Sequence, residues 1–217
     1  MIKTLLVGCS FSEYCGWDDN DVYSDPRCWY NIVAKTHQLN LTNISRAGYS
    51  NKEILHNTAK QLLTSNNQYQ LIIIQLTSTS RQWFFRDENE SLSSRIVGNR
   101  ISDFRNRDEE TALKTIQLAY SNISAEVERD LTSLLLIQDY TSTRTIPLML
   151  INGMNFYQSS LNFKINLAHK LNLDRSLGFI NDSLHKLQID CADDNMHPGE
   201  KSNQLYAQLV GELIKKL

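Results

Sequence analysis

The sequence predicts an α/β fold built on one parallel sheet, and three observations support this. Short apolar runs recur at 2–7, 39–44, 71–76 and 146–151, each of strand rather than helix length. Longer segments with apolar residues at helical spacing lie between them, so strand and helix alternate as βαβ units require. Ser10, Gly48, Thr77 and Asn152 all fall at the C-terminal ends of those runs, where open parallel sheets assemble their sites.

Residues 2–7 read as a buried strand, and Gly8 ends it in a turn, Gly8-Cys9-Ser10-Phe11-Ser12. Neighbouring side chains diverge there, so only one of Cys9 and Ser10 is expected to face a pocket. Residues 13–26 form a polar, aromatic loop with Trp17 and Asp18, Asp19, Asp21 and Asp25. The spacing of these acids does not fit a calcium loop, and a solvated rim is expected instead. Pro26 suits a helix start, and Trp29, Ile32, Val33 and Thr36 follow at helical spacing. Residues 39–44 alternate as a second strand. Gly48 marks a tight turn, and Ser50 with Glu53 reads as a capping box. The helix behind that box has Ile54, Leu55, Thr58, Leu62 and Leu63 as its apolar face, with His56 off it.

Residues 71–76 are apolar almost throughout, as expected of a central strand covered on both faces. The segment at about 82–110 is rich in Arg, Asp, Glu, Ser and Asn with poor periodicity. It reads as an insertion, either a lid over the site or a solvated surface loop. A long amphipathic helix is expected over 111–138, a fourth strand over 146–151, a helix near 157–171 and a short fifth strand near 187–189. The last helix spans 200–217, with Pro198 at its first turn and Leu205, Leu209, Leu213 and Ile214 inward. Residues 1–217 are expected to form one domain around a five-stranded parallel sheet.

At 217 residues the chain is long enough for one real core. Hydrophobic residues at 41% and charged residues at 21% are ordinary for a globular protein. The net charge of −2 argues against a nucleic-acid partner, which wants a basic face. No apolar run is long enough to span a membrane, and Gly8 interrupts the first run too early for a secretion signal. A cytoplasmic protein with no membrane partner is expected; nothing in the pattern specifies an oligomeric state. Cys9, Cys15, Cys28 and Cys191 include no Cys-x-x-Cys pair, and no histidine cluster has ligand spacing. Reduced thiols are expected and no metal site.

The two chain ends supply the parts of a nucleophilic triad. Ser10 is the candidate nucleophile. His197 is the candidate base, since imidazole titrates near neutral pH. Asp194, three residues earlier, would fix its tautomer, with Asp193 as a substitute. Backbone N–H groups of Ser10 and Gly48 are candidate oxyanion donors, joined by a side chain at the end of the third strand, Thr77. Tyr14, Trp17, Trp83 and Phe84 are candidate pocket aromatics. His37, His169 and His185 lie away from any motif and are expected to be structural or exposed.

These blocks resemble the SGNH (GDSL-like) hydrolase family. Gly8-Cys9-Ser10-Phe11-Ser12 is similar to its Gly-Asp-Ser block, with Cys9 for the aspartate. Arg46-Ala47-Gly48-Tyr49-Ser50-Asn51 is similar to its second block, and Asp194-Asn195-Met196-His197-Pro198 matches its Asp-x-x-His-Pro block. The resemblance covers nearly the whole chain. It implies a flavodoxin-like, three-layer α/β/α fold and a carboxylic ester hydrolase that needs no cofactor. The implied substrate is a small-molecule or carbohydrate ester, with a small acyl group such as acetyl removed through an acyl-enzyme. The third block departs: Gln75-Leu76-Thr77-Ser78 stands where the family has Gly-x-Asn-Asp, so Thr77 replaces the oxyanion asparagine. Losing one such donor typically costs about 100- to 1000-fold in rate. The hole is then weakened or rebuilt with Ser78, Arg81 or Asn152, and Ser78, Arg81, Asn152 and Trp17 are candidate substrate contacts. The alternative is a protein of the same fold that binds a ligand or partner, or serves structurally, with little or no turnover because Thr77 replaces that asparagine.

Overall fold

The computed structural model describes residues 1–13, 25–65, 68–78, 82–85, 91–97, 100–102, 123–154, 171–172, 176–177, 183–195 and 197–216. Its parallel sheet contains β1 (Ile2–Val7), β2 (Leu39–Asn43) and β3 (Leu71–Leu76), together with β7 (Leu148–Asn152) and β8 (Ser176–Leu177). The order is β2-β1-β3-β7-β8, and all four pairings are parallel. The helices are α1 (Ser10–Glu13), α2 (Trp29–Thr36), α3 (Asn51–Thr64), α4 (Ile123–Ser142) and α5 (Glu200–Ile214). The β1-to-β2 crossover runs one way along the sheet and the β2-to-β3 crossover returns over β1. Right-handed connections therefore put α2 and α3 on opposite faces. α2 packs with α5 and α3 with α4, giving three layers.

The core follows from composition. β3 is buried at every position, and Leu5, Leu6, Leu71, Ile72 and Ile74 have no exposed surface, as a strand covered on both faces requires. The α3 capping box is present: Glu53 N donates to Ser50 Oγ at 3.3 Å and Ser50 N to Glu53 Oε2 at 2.9 Å.

Several expectations are corrected. The expected strand near 187–189 is a turn, in which Leu187 N donates to Ser183 O and Ile189 is 65% exposed. The two-residue β8 pairs with β7 instead. Leu63 is exposed rather than on the apolar face of α3. The buried face of α5 centres on Tyr206, Val210, Leu213 and Ile214, with Leu205 and Leu209 only half-buried. The segment expected to be irregular holds an antiparallel meander of β4 (Gln82–Phe85), β5 (Ser91–Val97) and β6 (Arg100–Ser102). The long helix occupies 123–142; residues 111–122 and the helix expected near 157–171 up to residue 170 lie outside the described residues. Cys28 is disulfide-bonded, while Cys9 and Cys191 are free thiols, so the fully reduced set expected from spacing is wrong. Its partner lies outside the described residues. Among the described residues no helix is long and apolar enough to cross a membrane.

Candidate active site

Ser10 opens α1 directly after β1 and is 6% exposed. Ser12 N and Glu13 N both donate to Cys9 O, which closes the turn. The turn is then held from the neighbouring strands. Asn43 Nδ2, at the end of β2, donates to Ser12 O at 2.6 Å, and the Glu13 carboxylate accepts from Ala47 N. From β3, the fully buried Gln75 amide accepts from Ser12 Oγ at 2.6 Å and donates to Cys9 Sγ at 3.2 Å and Leu76 O at 3.2 Å. Two glycines admit this amide. A Cβ on Gly8 would lie 2.8 Å from Gln75 Oε1, and one on Gly153 would lie 2.0 Å from Gln75 Nε2.

The loop after β2 brings Gly48 to the same edge. Arg46 N donates to Gly8 O at 3.1 Å, and Gly48 has φ 84°, a left-handed conformation that glycine adopts without strain. Among the described residues, the Ser10 and Gly48 N–H groups have no hydrogen-bond partner.

The third segment is a closed loop from Asp190 to Gly199. Cys191 and Pro198 form an antiparallel bridge, Ala192 N donates to His197 O at 2.9 Å, and Gly199 N donates to Asp190 O at 3.1 Å. At its tip Asn195 takes φ 56°. Within the loop, Asp194 Oδ1 accepts from His197 N at 2.9 Å, and Asp194 Oδ2 lies 2.5 Å from His197 Nδ1. One carboxylate thus fixes both the backbone and the ring of His197, while Asp193 is exposed. The His197 ring lies 5.9 Å from the Phe11 ring, centroid to centroid, which sets the imidazole against the residue after Ser10.

The loop is anchored by Asp190, whose carboxylate caps α5 where Gly199 offers no side chain. It accepts from Ser202 N at 2.8 Å, Ser202 Oγ at 2.5 Å and Lys201 N at 3.0 Å. Burial alone would raise the Asp190 pKa, but these bonds from Ser202 and Lys201 outweigh it and hold the carboxyl below the usual range.

Thr77 is fully buried. The Asn51 amide brackets its backbone, with Thr77 N donating to Asn51 Oδ1 at 2.8 Å and Asn51 Nδ2 to Thr77 O at 3.0 Å. Its hydroxyl donates to Met154 Sδ at 3.4 Å, a weak acceptor. Asn152 is fully buried at the end of β7, and Ser78 is half-buried at the end of β3. Trp17, Tyr14 and Arg81 lie outside the described residues.

His185 was not singled out by its motif context, yet the fold brings it to this edge. Its ring meets the Phe11 ring edge-on at 6.1 Å, and it is exposed. Leu184 N and His185 N hang this turn on Asn152 O and Gly153 O at 3.0 Å each. Those contacts are long-range, so no local signal in the sequence marks His185.

No protein-family model and no curated protein sequence matches the chain. Solved structures do match in fold. A psychrotrophic esterase, EstA, from Pseudoalteromonas sp. is 13% identical, with 99% of this chain and 97% of that chain covered and a TM-score of 0.55. A lipolytic protein of the G-D-S-L family from Veillonella parvula is 13% identical, with both chains fully covered and a TM-score of 0.51. A carbohydrate esterase is 13% identical, with 100% of this chain and 69% of that chain covered and a TM-score of 0.54. The chain therefore has the three-layer α/β/α fold of the SGNH, or G-D-S-L, hydrolases.

Proposed function

We propose that the protein is a serine esterase that removes a small acyl group, acetyl above all, from a small-molecule or carbohydrate ester. The observation that carries this reading is the Asp194–His197 pair, 2.5 Å apart and packed on Phe11 beside Ser10. In the proposed mechanism Ser10 Oγ attacks the ester carbonyl carbon and its proton passes to His197 Nε2. Asp194 holds the other ring nitrogen protonated and steadies the imidazolium. The Ser10 and Gly48 N–H groups receive the oxyanion. The alcohol leaves with the proton from His197, and water, deprotonated by the same imidazole, releases the acid and frees Ser10. The fold it shares with an esterase and a carbohydrate esterase supports the reaction class.

A second reading is favoured by Thr77, whose hydroxyl is directed at Met154 rather than at an oxyanion. On this reading the protein binds an ester or sugar with little turnover. One solved structure of the fold has an active site described as having divergent catalytic and non-catalytic binding functions. A fluorophosphonate probe separates the two. An esterase gains one phosphonyl group, located on Ser10 by peptide mass, and Ser10→Ala gains none. An unlabelled wild type supports the binding protein.

The disulfide at Cys28 bears on location. Persistent disulfides belong to oxidising compartments, so it supports an extracytoplasmic setting over the cytoplasmic one expected from the N-terminus.

A further inference from the structure

The Ser10 turn and the Asp194–His197 loop come from opposite ends of the chain, and one buried path joins them through the α2–α5 layer. Trp29 Nε1 donates to Phe11 O at 2.8 Å, and Trp29 N donates to Asn203 Oδ1 at 2.9 Å. Asn203 Nδ2 in turn donates to Pro198 O at 2.9 Å and Gly199 O at 3.0 Å. Both residues are fully buried. The path touches the residue after Ser10 at one end and the residue after His197 at the other. It also fills a local gap: Cys28, the N-cap of α2, makes no side-chain capping bond, and Asn203 satisfies Trp29 N from another helix.

We propose that Trp29 and Asn203 are positioning residues, a hydrogen-bonded relay that sets the His197 imidazole against the Ser10 turn. The proposal rests on the esterase reading above for its consequence in turnover, though not for its geometry. Proton transfer from Ser10 to His197 tolerates little misplacement, since about 1 Å can cost about 100-fold. A side-chain bridge with no free rotamer holds that distance better than the loop backbone alone.

Two variants cut the relay at different ends. Trp29→Phe removes the indole N–H and leaves Trp29's backbone bond to Asn203. Asn203→Asp keeps an acceptor for residue 29 but turns a carboxylate oxygen on the carbonyls of Pro198 and Gly199. Each is expected to lower kcat on p-nitrophenyl acetate about tenfold or more with KM changed less than about twofold. The double variant is expected to be no worse than the more impaired single, because both break one path. The second readout is the His197 Cε1–H proton resonance, assigned by its loss in His197→Gln. Trp29→Phe should displace it although residue 29 is not bonded to the ring. If Asn203→Asp does not fold, Trp29→Phe decides the matter by this resonance.

Losses in log kcat that add, or a His197 resonance unmoved by Trp29→Phe, would overturn the relay. A wild type without Ser10-dependent turnover would instead refute the esterase reading, and the resonance alone would then judge the relay.

Discussion

At the scale of single residues, Gln75 shows how one buried amide organises a site. It sits in a strand whose other five residues are apolar, and Gly8 and Gly153 make room for it. Gly153→Ala should lower stability by about 1–3 kcal/mol in urea unfolding, because its Cβ has nowhere to go. In a Gln75→Ala background the same substitution should cost less, though not nothing, since Leu76 O also lies 2.8 Å from that Cβ. Equal costs in both backgrounds would refute the hub. Asp190 gives a pH prediction. Its folded pKa is depressed, so its contribution to stability is present above the ordinary carboxylate value of about 4 and is lost as pH falls through the folded value. Unfolding free energies of the wild type and Asp190→Ala should differ by about 1 kcal/mol near pH 6, as for a lost helix cap, and converge at the acid end. A gap that stays constant with pH would contradict that role.

At the scale of elements, what is local in sequence was legible and what is long-range was not. The α3 capping box needs only Ser50 and Glu53, three residues apart, and the apolar block of β3 needs no partner to be recognised. The Asp194-x-x-His197 spacing likewise puts its pair within one loop. The β4–β6 meander escapes a reading by periodicity because the serine and arginine residues of β5 and β6 blur the two-residue period. The turn at Ser183–Leu187 was misread because Leu187 and Ile189 alternate like a strand, while bonds to Ser183 and Leu184 curl the backbone. Gln75, Asn203 and His185 each owe their place in the site to a partner far along the chain: Ser12 and Cys9, Trp29, and Phe11. Tyr206 is another such case: its hydroxyl donates to Leu184 O at 2.6 Å, and burial pushes its pKa up. Tyr206→Phe should cost about 1–3 kcal/mol, because Leu184 O loses its donor inside the core. A change within a few tenths would show that water replaces the hydroxyl.

At the scale of the whole molecule, the chain closes a loop on itself: β1 supplies the Ser10 turn, and the loop before α5 returns the Asp194–His197 pair to it. The fold could be read from alternating strands and helices, whereas the Cys28 disulfide could not be read from cysteine spacing. Alkylation in denaturant should therefore modify two cysteines before reduction and all four after it; four before reduction would contradict the disulfide. The esterase proposal stands on Ser10. Hydrolysis of p-nitrophenyl acetate by the wild type and by Ser10→Ala tests it in one comparison. Wild-type turnover should fall at least about a thousandfold in Ser10→Ala; equal rates in the two proteins would rule out Ser10 as the nucleophile.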